Sequence, residues 1–225
     1  MSRLTTILGS AVGKKILMAS SGIVLFGFVL VHMLGNLKLY QGAEKLNGYA
    51  EWLRDVGSPA LPHEAALWIF RVALLAAVGV HIWAAWQLTR LNHRARPVRY
   101  AKKKAVAATY AARTMRVSGV IIVSFVIYHL FHLTWGSTHP DFAAHKPYEN
   151  VVSAFQVPWA AGAYIVANLL LGMHLYHGLW SLFQTLGLND GGVTRLLRGF
   201  AFTFALVVTA GNLSFPISVM LKLVE

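Results

Sequence analysis

Cysteine is absent from this 225-residue chain. That removes thiolate ligation of an iron–sulfur cluster, disulfides and any thiol nucleophile. Acid is scarce: 8 Asp and Glu stand against 20 Lys and Arg, a formal net charge of +12. No P-loop, Gly-x-Gly-x-x-Gly fingerprint or nucleophile elbow occurs, so nucleotide binding and serine hydrolysis have no recognisable motif here. Charged residues of both signs make up only 12% of the chain, while 56% is hydrophobic. The mean hydropathy of +0.55 lies outside the range of soluble globular domains.

What is present is long apolar runs. A bilayer crossing needs about 20 mostly apolar residues. Five segments meet that length, at residues 15–36, 65–88, 114–135, 159–183 and 199–221. The expected fold is therefore an all-α integral membrane bundle, with residues 1–225 as a single domain. The first run is too long for the apolar region of a cleaved signal peptide and ends in Gly35-Asn36-Leu37-Lys38 without a small-x-small exit. No Gly-x-x-x-Gly pair lies inside a run. Glu44 to Leu53 is patterned as a short amphipathic helix in the first connection. Residues 136–158 read as a loop with Pro140, Pro147 and Pro158, and residues 184–198 as a turn with Gly187, Gly191 and Gly192. Pro216 predicts a kink near the end of the fifth run.

The positive charge is lopsided. Arg3, Lys14 and Lys15 precede the first run, and Arg195 and Arg198 precede the fifth. Arg90, Arg94, Arg96, Arg99, Lys102, Lys103, Lys104, Arg113 and Arg116 crowd the second connection. Clustering at span ends fits the positive-inside rule, with these segments cytoplasmic and the C-terminus outside, and argues against nucleic-acid binding. The basic segments also suit anionic lipid or an acidic soluble partner.

Four of the ten histidines lie one to a span: His32, His81, His129 and His174. A helix rises about 1.5 Å per residue, which puts His32 about 25 Å above Lys15, His129 about 20 Å above Arg116, His81 about 13 Å above Arg90 and His174 about 16 Å above Thr185. Ionisable groups inside a membrane face the bundle interior and mark function. One such histidine can be an interhelical hydrogen-bonding contact. Four at two matched depths point to axial ligation of two b-type haems, with His32 and His129 on the outer and His81 and His174 on the inner. Six-coordinate iron has no open position and is confined to electron transfer. Gly27 and Gly35 near His32, Gly79 near His81, and Gly172 and Gly178 near His174 would let a macrocycle approach. His132 and His177 each follow a proposed ligand by three residues, so spacing alone does not choose between neighbours. His63, His93, His139 and His145 fall in connections and read as surface residues.

The stretches around these histidines resemble the cytochrome b membrane anchors of succinate:quinone oxidoreductases and fumarate reductases, in the five-helix, di-haem, single-subunit form. The matching stretches are Leu30-Val31-His32-Met33-Leu34-Gly35-Asn36, Val80-His81-Ile82-Trp83, Arg116-Val117-Ser118-Gly119 through Tyr128-His129, and His174-Leu175-Tyr176-His177-Gly178-Leu179-Trp180-Ser181 through Gly187. The resemblance places one ligand thirteen residues after Arg116, at His129. It places another four residues before Gly178 and thirteen before Gly187, at His174. It implies an iron–sulfur subunit and a flavoprotein subunit as partners, which would carry the clusters and FAD, and menaquinone or another quinone near the outer haem. It also implies a bacterial cytoplasmic membrane, and a higher oligomer of the complex is left open. Candidate propionate or quinone contacts are Arg71, His132, His177, His63, Glu64 and Glu51. Two other readings compete: the cytochrome b subunit of a hydrogenase or formate dehydrogenase, where two ligands often share a helix, and a small proton-coupled transporter without haem. The transporter predicts broken helices and acidic partners for the histidines.

Overall fold

The computed structural model describes residues 9–95, 107–188 and 190–225. Arg3, Arg96, Arg99, Lys102, Lys103 and Lys104 lie outside the described residues, as does the side chain of Arg113. The described chain is helical. Five helices are long and apolar enough to cross a membrane: α1 (Ala11–Asn36), α3 (Ala65–Arg94), α4 (Ala107–His129), α6 (Pro158–Thr185) and α7 (Gly191–Met220). Two short helices, α2 (Ala43–Asp55) and α5 (Pro147–Gln156), fill connections on the side expected to face outward.

Local chemistry explains most boundaries. The Ser10 side chain accepts a hydrogen bond from the Gly13 N–H at 3.0 Å and caps α1. A single 3₁₀ turn, Leu37–Gln41, follows, and Gly42 at φ 92° turns the chain into α2. Proline begins both α5 and α6, where its missing N–H costs nothing. The loop expected over residues 136–158 therefore holds a helix between Pro147 and Pro158. The expected turn before the fifth span is also shorter, because α7 starts at Gly191 and carries Arg195 and Arg198 on its first turns. Gly187 at φ 76° makes the turn itself. The helix continues through Pro216, close to its end.

The spanning helices pack as an open row, with α1, α6 and α7 at its centre and α3 and α4 at its ends. α1 lies against α3, α4 against α6 and α6 against α7, while α1 also touches α6 and α7. α1 and α4 are not closely packed, and neither are α3 and α6. The firmest core lies at the outer end. There Met33, Leu39, Leu46, Phe155, Tyr164, Phe215 and Val219 form one buried cluster that joins α2 and α5 to the spans. Asn47 ties the two caps, donating to Glu149 Oε2 at 2.9 Å and accepting from the Tyr148 N–H at 3.0 Å. Elsewhere the large apolar side chains point outward: Ile23, Val31, Ile69, Phe70, Val120 and Leu196 are exposed, as helices solvated by lipid tails require. Among the 30 residues of α3 only Ala66 and Ala84 are buried. Arginines stack on tryptophans near span ends, Arg71 on Trp68, Arg90 on Trp86 and Arg198 on Trp180. That arrangement belongs to membrane interfaces, where long cations reach toward water.

Glycine permits the closest helix approach, between α6 and α7. A Cβ on Gly172 would overlap the Thr209 hydroxyl, which is held in place by donating to the Ala205 carbonyl at 2.6 Å. Gly172→Ala should lower stability by about 1–3 kcal/mol. Adding Thr209→Ala should recover most of the loss. Thermal unfolding of the detergent-solubilised protein reads both variants, and a silent Gly172→Ala would contradict this packing.

Candidate site inside the helical bundle

The four span histidines come together in two pairs. The His32 and His129 ring centroids are 6.0 Å apart, with planes at 84°. Those of His81 and His174 are 6.3 Å apart, at 61°. Each pair bridges two helices that are not closely packed, α1 with α4 and α3 with α6. The rings thus meet across gaps. His32 is exposed, and it has no hydrogen bond among the described residues. The other three rings are half-buried.

The separation can be tested against shared ligation. A metal–imidazole bond is about 2.0 Å and a ring nitrogen lies about 1.2 Å from its centroid, so two imidazoles trans on one ion hold centroids about 6.4 Å apart. Both observed separations fall within a few tenths of an ångström of that value, and perpendicular ring planes are compatible with it. The residues fit an iron bound between them at each level.

Hydrogen bonds to the inner pair show how the levels are spaced. His81 Nδ1 lies 3.1 Å from Ser21 Oγ, and His174 Nδ1 lies 3.3 Å from Ser118 Oγ. Ser21 stands eleven residues before His32 on α1, and Ser118 eleven before His129 on α4. The two levels are therefore about 16 Å apart along the helices, well inside a hydrocarbon layer about 30 Å thick.

These contacts expose a repeat that the sequence reading missed. Met18, Ser21, Gly22, Phe28, Val29 and His32 on α1 match Met115, Ser118, Gly119, Phe125, Val126 and His129 on α4, each pair 97 positions apart. The repeat carries its contacts with it. Phe28 lies beside His32 as Phe125 lies beside His129. Gly22 backs onto the His81 ring and Gly119 onto the His174 ring, so that an added Cβ would sit 3.7 Å from each. A self-comparison of the sequence would have found it. The glycines expected to flank the ligands do other work: Gly35 faces Tyr49, Gly172 faces Thr209, and Gly178 faces Phe26. Gly27 and Gly79 meet no side chain. Clearance at the inner rings comes instead from the helix carrying the neighbouring serine.

Outside the four-histidine core, His132 occupies a π-helical turn, Leu130–Thr134, and is buried. Such turns recur at functional sites. The Tyr164 hydroxyl lies 3.3 Å from His129 Nδ1 and 3.2 Å from His132 Nδ1, joining the two. His132 stacks between Tyr128 and His139. His139, expected at the surface, is buried. Its Nε2 donates to the Asn150 carbonyl at 3.0 Å and its Nδ1 accepts from the Asp141 N–H at 3.1 Å. The helix between Pro147 and Pro158 supplies that carbonyl, which explains the burial. His177 is half-buried beside Tyr176, and Arg71 is occupied with Trp68.

Between α4 and α6 a groove of about 520 Å³ is lined by Phe125, Tyr128, Trp159, Gly162 and Val166, among others. Tyr128 lines it, and its hydroxyl is buried without a hydrogen-bond partner among the described residues. Glu51, Glu64 and His63 belong to a surface network instead. Arg54 pairs with Glu51 at 3.0 Å and Glu64 at 3.2 Å, and His63 with Asp55 at 2.8 Å. The hydrogen bond to Asp55, with help from the neighbouring carboxylates, raises the His63 pKa above the ordinary 6.5. The contact favours the folded state fully below pH about 6.5 and fades as pH rises through the folded value. Asp55→Asn should bring the His63 titration down toward 6.5, followed by imidazole NMR shifts. An unmoved titration would contradict the assignment.

A family model described as succinate dehydrogenase/fumarate reductase transmembrane subunit matches residues 92–210. That stretch contains His129 and His174 with the helices that carry them. No curated protein and no solved structure matches the chain. The match covers more than half of the 225 residues, and with five apolar spanning helices the chain belongs to the succinate dehydrogenase/fumarate reductase transmembrane subunit family.

Proposed function

We propose that this protein is the di-haem cytochrome b anchor of a succinate:quinone oxidoreductase in a bacterial cytoplasmic membrane, carrying electrons between an iron–sulfur subunit and menaquinone. The observation that carries the reading is the meeting of His32 with His129 and of His81 with His174 at the separation of imidazoles sharing one metal. His32 and His129 hold an outer b haem, and His81 and His174 an inner one. A haem ligated on both faces supplies one-electron transfer and has no site for oxygen. The chain's own residues fix the ligands, keep them neutral within an apolar bundle and space the two levels about 16 Å apart, roughly half the hydrocarbon thickness.

Partners follow from what the chain lacks. Without cysteine it holds no iron–sulfur cluster, so the clusters and FAD reside in iron–sulfur and flavoprotein subunits. The basic inner face offers a docking surface for the iron–sulfur subunit. Arg90, Arg94, Arg116, Arg195 and Arg198 stand at that end of the described helices. The quinone sits in the groove between α4 and α6, whose aromatic and small side chains suit a flat ring with an apolar tail. There the unpartnered Tyr128 hydroxyl donates to a quinone carbonyl. Tyr128 stacks on His132, and His132 reaches His129 through Tyr164, so the groove adjoins the outer ligands. A proton-coupled transporter is disfavoured. The spanning helices run unbroken past His32, His81 and His174, and the partners of His81, His129 and His174 are serine and tyrosine rather than carboxylates.

Pyridine-haemochrome quantification of the purified protein should give about two b haems per chain. His32→Ala or His129→Ala should each remove one, and His81→Ala or His174→Ala the other. A haem-free protein would sink the reading. Tyr128→Phe should leave both haems in place and raise the quinone KM of the assembled complex roughly two- to tenfold, the worth of one neutral hydrogen bond. An unchanged KM would move the quinone elsewhere.

A further inference from the structure

We propose that Ser21 and Ser118 are a matched pair of positioning residues for the inner haem. Each accepts a hydrogen bond from the Nδ1–H of the histidine facing it and so leaves that ring's Nε2 free for the iron. The inference rests on the haem reading above and goes beyond it in assigning residues that touch neither iron nor macrocycle.

The argument is a count of protons. A serine hydroxyl has one hydrogen. Ser21 Oγ lies 2.7 Å from the Leu17 carbonyl, and Ser118 Oγ lies 3.2 Å from the Met115 carbonyl. A carbonyl can only accept, so each hydroxyl spends its hydrogen on its own helix backbone. What faces the imidazole is a serine lone pair, 3.1 Å from His81 Nδ1 and 3.3 Å from His174 Nδ1. Nδ1 must then carry the proton, and a neutral ring protonated at Nδ1 has its free lone pair at Nε2.

Two features separate this from ordinary helix back-bonding by serine. The arrangement occurs twice, at equivalent positions of a repeat whose other shared residues also touch the ligand rings. Each serine is also followed by a glycine that clears space at the same ring. Both serines are buried, at 5% and 3% exposure, so no water competes for the imidazole proton. A partner that fixes the second nitrogen orients a ligating histidine and raises its basicity. A more basic imidazole favours ferric over ferrous iron.

The test is a spectroscopic redox titration of the full-length protein in its complex, comparing wild type with Ser21→Ala, Ser118→Ala and the threonine variants at each position. The inner wave is identified as the one lost in His81→Ala. Each alanine variant should move that wave to higher potential, by about 59 mV if the ferric form is weakened tenfold against the ferrous, and leave the outer wave in place. Threonine, which keeps the hydroxyl, should restore the wild-type value. Two waves in the wild type with the inner wave unmoved in both alanine variants would overturn the serine assignment and leave the haem reading intact. A wild type without haem waves would overturn the haem reading itself. Should an alanine variant assemble poorly, haem content of the threonine variant decides: retention of the inner haem supports the hydroxyl's role, and its loss despite the hydroxyl contradicts it.

Discussion

Everything in this bundle depends on the cost of placing imidazole among hydrocarbon. A polar ring that cannot find a partner in lipid is expensive, and this chain places four such rings in its spans. The inner two reach serine, and one of the outer two reaches tyrosine. Each of these bonds uses Nδ1 and leaves the other ring nitrogen without a hydrogen bond among the described residues. The 6.0 and 6.3 Å separations match what two imidazoles sharing a metal ion, as proposed, would require. Helix packing then follows. α1 and α4 stand apart where their histidines meet, as do α3 and α6. α3, with only two buried residues, leans mainly on α1.

The internal repeat gives this arrangement a simple logic. One unit is a helix carrying Ser-Gly near its inner end and histidine near its outer end, followed by a helix with histidine near its middle. Two such units, α1 with α3 and α4 with α6, face each other. Each supplies one histidine to each level. Each also supports its own inner ligand through its own serine. The outer level departs from the symmetry: His129 is tied through Tyr164 to His132 and His139, while His32 is not. The asymmetric side is where the groove beside Tyr128 opens.

The class of fold was legible because bilayer thickness imposes a run length that few other structures need, and all five expected spans match spanning helices. Boundaries were less legible where caps and prolines act locally, as at α5 and at the start of α7. The pairing of histidines could be read from depth, since one residue is a fixed rise along a helix. Their neighbours could not. Ser21 and Ser118 look like ordinary small polar residues until the helices are assembled. Gly35, Gly172 and Gly178, near the ligands in sequence, serve other contacts, while Gly22 and Gly119 approach rings far along the chain. His139 looked exposed because its burial depends on a helix hidden in a proline-bearing loop. A search for internal similarity would have narrowed these gaps, because the repeat is visible without coordinates.

The central claim is that each histidine pair shares one iron. A high-resolution cryo-EM map of the purified complex tests it most directly. The account predicts two planar macrocycles with central metal density, one between the Nε2 atoms of His32 and His129 and one between those of His81 and His174. Density showing the pairs in contact without metal, or iron held by His132 or His177 instead, would contradict it.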